Sequence, residues 1–460
     1  AYQDAGNDWV RMILHLELAR AEAGLENWEG CSAQLDSFRT RANGSRDVHL
    51  DSWTMHDALR IRVVRATVGP TDQPNPDPQA RRRAIISAVE NACRGLSTRL
   101  QEIDGSQEGF FALRNTEPLR EELHAIVEDR PELSYALELK WRDLPRLLGR
   151  ATQDEPGRGE DPQEACVQIA GYAIRGEDAP AGFLEETAPS TREAIHILYR
   201  VQREHTDRWV YRDGALDQES LPHGEQELRR RVGAILRGVG SAPVGRTARV
   251  PQGLSSELHQ LAQQLVPEAL LPQGSPEEPV RVLLSPDGPL NALPFAVLNR
   301  SEDGYEPLIT GWDPAYLGPS RGPCVELPRE APGLIVVDPQ LSGEGFGRGL
   351  PPLELARVEA EALHAWSPQS QVLTRKAASK RGVLENLEAA SFLYFASHMV
   401  RDPEAPYLSY LPLAADPDSS SRSSHYLDIS DVERAELALC PLVVLSACNS
   451  GTPYVAHGSQ

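Results

Sequence analysis

Five short apolar runs constrain the fold of the second half of this chain more than any other feature of the sequence. The runs are VRVLLS (280–285), GLIVVD (333–338), SQVLT (370–374), SFLYFAS (391–397) and PLVVLSA (441–447). Helical patterns occupy 254–266, 353–366 and 380–390. Strands that are apolar on both faces and alternate with helices are typical of a parallel sheet covered on both sides. The sequence therefore predicts an α/β domain with a mainly parallel sheet.

The first half of the chain has the pattern of helices separated by breaks rich in Pro, Gly and acidic residues. Helices are predicted at 9–24, 28–42, 53–68, 79–102, 116–128, 133–150, 162–175, 190–206 and 223–238. The stretch LARAEAGLENWEGCSAQLDSF (18–38) places small residues where paired helices would touch, as in tetratricopeptide (TPR-like) repeats, although no steady 34-residue period is present. We expect a helical region at 1–240 and an α/β domain at 250–460.

Composition excludes several classes of function. The chain has 460 residues and a net charge of −21, whereas a nucleic-acid surface is normally basic. No apolar stretch reaches the roughly 18–20 residues that span a bilayer. Six cysteines without a C-x-x-C pair indicate a reducing, cytoplasmic setting with no disulfide framework. The histidines show no metal-binding spacing, so no metal and no cofactor are predicted.

A histidine and a cysteine follow two of the predicted strands. His398 comes directly after SFLYFAS, and Cys448 comes directly after PLVVLSA. Functional groups collect at the carboxyl ends of parallel strands, and neighbouring strands lie about 4.8 Å apart. Only the thiolate of a cysteine attacks, and a nearby imidazole can generate it and later protonate a leaving amine. If the two strands are neighbours, these residues form a nucleophile and its base.

A more ordinary interpretation of each residue is also open. A cysteine at the end of an apolar strand is usually a buried, inert thiol, and a single histidine after a strand carries no more weight. The pairing favours the functional interpretation. The Asn-Ser-Gly after Cys448 predicts a tight turn that would expose the sulfur and the backbone N–H of Cys448, a natural donor to an oxyanion.

Four segments in order resemble one protein family. They are VLLSPDGPLNALPFAVL (282–298), LPPLELARVEAEALHA (350–365), FLYFASHMV (392–400) and LDISDVERAELALCPLVVLSACNSG (427–451). The region from about 254 onward is identified by them as a CHAT domain, a caspase-like domain often found with tetratricopeptide repeats. The resemblance implies a caspase-haemoglobinase fold and a cysteine endopeptidase. It also implies that His398 is the general base or acid and Cys448 the nucleophile.

The sequence departs from the family pattern in two places. The family usually has Gly after the catalytic histidine, where its N–H helps to form the oxyanion hole, and this chain has Met399. The backbone N–H groups of Met399 and Cys448 are the implied oxyanion donors, although the Cβ of Met restricts the backbone angles that Gly could use. The family also continues well past the cysteine. Because a central strand needs neighbours on both sides, we expect the natural protein to continue beyond Gln460.

Several other residues near these segments have structural and functional interpretations. Asp428 and Asp431 could line a pocket for a basic substrate side chain, although Asp431 more simply begins a helix. Glu359 is expected to orient structure rather than to catalyse. The loop 399–427 contains the polar run DPDSSSRSS, so we expect a mobile loop beside the cleft, with Arg422 as a processing site.

Two functions from different classes agree with these patterns. The first is a cytoplasmic cysteine protease that cleaves a protein substrate and is held at low basal activity until its helical half binds an activating protein or ligand. The second is an interaction scaffold that keeps a caspase-like fold without catalysis. The presence of both His398 and Cys448 at strand ends favours the protease, and Met399 favours the scaffold.

Overall fold

A computed structural model provides the structure of the chain. It describes residues 2–42, 50–67, 78–102, 116–142, 162–175, 177, 194–240, 250–316, 332–341, 350, 352–400, 409–416, 422–428, 431–432, 435 and 442–447. The chain divides into two compact units, Ala1–Ser320 and Arg321–His457. Within the described ranges, no helix combines the length and the apolar character needed to cross a membrane.

The N-terminal part of the first unit is helical, as predicted. Its helices are α1 (Tyr2–Gly24), α2 (Trp28–Ala42), α3 (Leu50–Thr67), α4 (Pro78–Glu102), α5 (Glu117–Val127), α6 (Pro131–Arg142) and α7 (Pro162–Arg175). Small residues let α1 and α2 approach closely, because Ala19 and Ala23 of α1 and Cys31 of α2 are buried in one apolar cluster. A second apolar cluster contains residues of all five helices from α3 to α7, among them Leu119 of α5 and Leu137 of α6.

A three-stranded meander replaces the helix that the sequence predicts at 190–206. The strands are β1 (Ile195–Val201), β2 (Thr206–Arg212) and β3 (Ala215–Leu221), paired antiparallel. The helix prediction is wrong because β1 is buried on both faces, which hides its period of two. The dipeptide Asp213-Gly214, between β2 and β3, is typical of a β-hairpin turn. Asp213 and Gly214 both have positive φ, as the two central residues of a type I′ turn require.

The meander belongs to a five-stranded sheet that also contains the first predicted strand of the α/β region. The sheet has the order β3-β2-β1-β4-β5, with β4 at Val280–Ser285 and β5 at Trp312–Tyr316. β4 is parallel to β1 and to β5. Helices α8 (Glu225–Gly240) and α9 (Gln252–Leu265) share a single apolar core with this sheet. β4 therefore lies in the first unit, and not in one sheet with the other predicted strands.

The second unit is built on a four-stranded parallel sheet. Its strands are β6 (Gly333–Pro339), β7 (Gln371–Arg375), β8 (Phe392–Ala396) and β11 (Leu442–Leu445), in the order β11-β8-β6-β7. Helix α10 (Glu354–Trp366) covers one face, and α11 (Lys380–Leu387) covers the other. The short strands β9 (Tyr410–Pro412) and β10 (Tyr426–Asp428) form an antiparallel pair. The predicted parallel sheet with helices on both faces is confirmed.

The two strands that precede His398 and Cys448 are neighbours. β8 has β6 on one side and β11 on the other, so its predicted central place is confirmed. β11 lies at the end of the sheet in the described part of the chain, so its predicted central place stays a prediction. Its four apolar side chains are 39–55% exposed, because the helices that cover the sheet pack mainly on β6, β7 and β8.

Candidate active site

The register between β8 and β11 aligns the two segments that carry the predicted catalytic residues. The strands are parallel, and each residue from Phe392 to Phe395 pairs with the residue 50 positions later in the chain. A backbone hydrogen bond from Ser446 N to Phe395 O, at 2.8 Å, continues the pairing past the end of β11. His398 is half-buried, two residues after β8 ends, while Cys448 lies outside the described residues.

The backbone around His398 is held on both sides. Ser397 is buried, and its hydroxyl donates to Pro412 O of β9 at 3.1 Å. Val400 exchanges two backbone hydrogen bonds with Tyr410, at 3.0 and 2.9 Å. His398 and Met399 therefore lie in a short, anchored span at the carboxyl end of the sheet. Met399 does not have a positive φ, so its Cβ causes no backbone strain in this conformation.

An aspartate and two arginines meet at the same edge of the sheet, where β6 ends. Asp338 is buried, with a φ of 43°, and its carboxylate accepts from Arg357 Nε at 2.8 Å, Arg375 Nη1 at 3.3 Å and Leu353 N at 2.9 Å. Burial alone would raise the pKa of Asp338, but these hydrogen bonds hold it below its ordinary value. No motif in the sequence predicts this cluster, and the one signal for it is an aspartate directly after a buried strand.

The two aspartates predicted as a substrate pocket hold each other in a turn. Asp428 N donates to Asp431 Oδ2 at 3.1 Å, and Asp431 N donates to Asp428 Oδ1 at 3.0 Å. Asp431 is 5% exposed and forms an ion pair with Lys380 Nζ at 2.6 Å. This arrangement fits the alternative interpretation of Asp431 as the start of a helical turn. The role of either residue in substrate binding stays a prediction.

The described cysteines are not prepared for nucleophilic attack. Cys31, Cys93 and Cys166 are buried. Burial raises the pKa of Cys31, and it raises the pKa of Cys93 well above the ordinary value. Because the thiolate is the reactive form, these thiols are expected to be inert at neutral pH. Cys324 and Cys440 lie, with Cys448, outside the part of the chain that the structure describes.

A serine, a histidine and a tyrosine form a hydrogen-bonded chain in the first unit. His196 Nε2 lies 2.8 Å from Ser285 Oγ, and His196 Nδ1 lies 2.6 Å from Tyr135 Oη. The contact between Ser285 and His196 has the distance that a catalytic serine needs. All three residues are at most 2% exposed, so a substrate could not reach them. They tie α6 to β1 and β4 in the protein interior.

Metal chemistry has no visible site in the described ranges. Among those residues, no group of three or more His, Cys, Asp or Glu side chains could hold a metal ion.

The loop 399–427 is described only at 399–400, 409–416 and 422–427, and the side chain of Arg422 is outside the described residues. Its mobility and its processing stay predictions.

Comparison with known proteins identifies the domain that contains His398. No curated protein matches the chain. One family model matches residues 255–460, which include β4 to β11 and the helices between them. The chain therefore contains a CHAT domain at residues 255–460, preceded by a helical N-terminal region.

Proposed function

We propose that this chain is a cysteine endopeptidase in which Cys448 is the nucleophile and His398 is its general base and acid. The observation that carries the proposal is the register of β8 and β11, in which paired residues are 50 positions apart. His398 and Cys448 are also 50 positions apart. If the register continues for three more residues, the two become direct partners on adjacent strands, about 4.8 Å apart in backbone spacing.

The reaction follows from the chemistry of these two side chains. His398 takes the thiol proton, and the Cys448 thiolate attacks the carbonyl carbon of the scissile peptide bond. The backbone N–H groups of Met399 and Cys448 donate to the resulting oxyanion. His398 then protonates the leaving amine as the C–N bond breaks, which leaves a thioester on Cys448. Water, deprotonated by His398, hydrolyses the thioester and releases the second product.

The CHAT domain supports this class of reaction, since the family is caspase-like. The substrate in this proposal is a protein. The N-terminal helices α1 to α7 receive an activating protein or ligand, because packed helices offer extended surfaces for partners. In this proposal Asp428 and Asp431 line a pocket for a basic substrate side chain, which would compete with Lys380 for Asp431.

The test is a cleavage profile of the purified chain on an unbiased peptide library. Cys448→Ala and His398→Ala should each reduce cleavage by at least about 10³-fold, and the double variant should lose no more than either single variant, because the two residues act as a unit. Cys440→Ala is the matched control and should retain activity. If Cys448→Ala cleaves as fast as the unaltered chain, the protease is excluded. If the unaltered chain cleaves nothing, with or without partners, the interaction scaffold becomes the better hypothesis.

A further inference from the structure

Two arginines share one carboxylate at the carboxyl edge of the sheet in the second unit. Arg357 donates to Asp338 Oδ2 from Nε at 2.8 Å and from Nη2 at 2.6 Å, and Arg375 donates to the same oxygen from Nη1 at 3.3 Å. Among the residues that the structure describes, neither arginine has a second carboxylate within ion-pair distance. The cluster therefore has a surplus of one positive charge, in a chain whose net charge is −21.

The two guanidinium groups are open to solvent, whereas the carboxylate that holds them is buried. The side chains of Arg357 and Arg375 are 46% and 41% exposed, and that of Asp338 is 2% exposed. Arg357 Nη1 and Arg375 Nε and Nη2 remain as donors outside the hydrogen bonds to Asp338. Because a buried carboxylate needs its partners, Asp338 fixes both arginines in place. A ligand at this edge therefore meets donors that are already ordered, which lowers the entropy cost of binding.

The backbone of this edge is strained at two positions of the same cluster. Asp338 has a φ of 43° and Arg375 a φ of 52°, in the left-handed region that residues other than glycine rarely adopt. Gln340 N donates to Arg375 O at 3.0 Å, which ties the end of β6 to the end of β7. Strained residues concentrate at functional sites, and ligands bind at the carboxyl ends of parallel strands. Both observations favour a binding role for the cluster over a purely structural one.

The cluster lies one strand away from His398. Val337 of β6 pairs with Ala396 of β8, so Asp338 and His398 follow the ends of neighbouring strands at the same edge of the sheet. Neighbouring strands are about 4.8 Å apart. A polypeptide held at His398 therefore has side chains within reach of the two arginines.

We propose that Arg357 and Arg375 form a binding site for a carboxylate, namely the side chain of an aspartate or glutamate in a bound polypeptide. The surplus of one positive charge matches a single carboxylate, and the planar guanidinium groups match its two oxygens. Two positive charges on one oxygen repel each other, and a second anion relieves that repulsion. The identity of the polypeptide as a protease substrate rests on the proposed function, whereas the binding site itself does not.

The test is saturation-transfer NMR on the 460-residue chain with three small probes. The probes are acetyl-Asp-methylamide, its neutral isostere acetyl-Asn-methylamide, and inorganic phosphate. The aspartate probe should bind with a Kd of about 1 mM, as expected for two charge-assisted hydrogen bonds, and the asparagine probe should not bind. Arg375→Gln should weaken binding at least about 10-fold. Arg375→Lys should weaken it less, because lysine keeps the charge and loses the planar group.

Lys376→Gln is the matched control, because it removes an exposed positive charge next to Arg375 and should leave binding unchanged. If it weakens binding as much as Arg375→Gln does, the attraction comes from the general charge of this edge and the inference is overturned. Equal binding of the aspartate and asparagine probes would overturn it as well. Tighter binding of phosphate than of the aspartate probe would overturn the assignment to a carboxylate.

The same experiment is independent of the proposed function, because it measures binding and not cleavage. A chain that binds the aspartate probe through Arg375 but cleaves no peptide would contradict the protease and support the binding site. A chain that cleaves peptides but does not bind the probe would contradict the binding site alone. Circular dichroism of the variants at the temperature of the NMR measurement should show the spectrum of the unaltered chain.

Discussion

His124 is a buried histidine whose pKa differs greatly between the folded and unfolded chain. Burial is the main cause and lowers the pKa from 6.5 to about 4, with Arg200 and Arg120 adding to this while the hydrogen bond to Glu138 opposes it. The neutral ring donates from Nε2 to Glu138 at 3.1 Å and accepts at Nδ1 from Ser134 at 3.1 Å. The folded state therefore binds a proton at His124 only at a much lower pH than the unfolded state does.

Stability should fall on the acid side for this reason. Above about pH 6.5 His124 is neutral in both states, and as the pH falls toward 4 the unfolded chain alone gains a proton, which costs up to about 3 kcal/mol of unfolding free energy. Urea denaturation at pH 7.5 and pH 5 measures the loss of unfolding free energy. The loss between these two pH values should be smaller in His124→Gln. Glu138, whose pKa is held low by Arg120 and Arg142 despite burial, stays charged across this window. If the unfolding free energy of His124→Gln falls as much between these pH values as that of the unaltered chain, His124 is not the cause of the loss.

Gly333 of β6 leaves room for the aromatic ring of Phe392 on the neighbouring strand β8. It begins β6 and pairs with Phe392 of β8, and a Cβ added there would lie 2.1 Å from the Phe392 ring. Gly333→Ala should lower the unfolding free energy by about 1–3 kcal/mol, because the ring must move within a packed core. Gly304→Ala, where a Cβ would meet nothing within 4 Å, is the control in the same thermal melts. Adding Phe392→Leu to Gly333→Ala should recover part of the loss, and no recovery would contradict the steric cause.

At the scale of the whole molecule, the match to the CHAT family includes parts of both compact units. β4 and β5 lie within the CHAT match, yet β4 is paired to β1, which precedes the match. A fragment that starts at residue 250 loses β1 and opens one side of β4, whose residues Val282 and Leu284 are fully buried. We expect such a fragment to be less soluble and to melt at a lower temperature than the full chain. Sedimentation velocity and circular dichroism provide the check, and a monomeric fragment that melts like the full chain would contradict it.

Local patterns in the sequence are sufficient to predict the helices and strands of the α/β region. The runs at 280–285, 333–338, 370–374, 391–397 and 441–447 all became strands, since each is a short apolar segment with polar residues at its ends. Helices α10 and α11 followed from their own periodicity in the same way. The expectation that His398 follows a strand beside the strand of Cys448 needed only this alternation and the carboxyl-end rule.

Strand pairing and side-chain contacts, in contrast, depend on long-range packing. The sequence pattern favours a helix at β1 because burial on both faces erases its period of two. The pairing of β4 with β1 is not visible in the sequence, because the two strands lie far apart along the chain. The register between β8 and β11, the cluster around Asp338 and the hydrogen bond between Tyr394 and Glu359 likewise join residues distant in sequence. Local patterns report the conformation of a segment, whereas strand pairing and buried polar contacts depend on the partner that long-range packing brings to it.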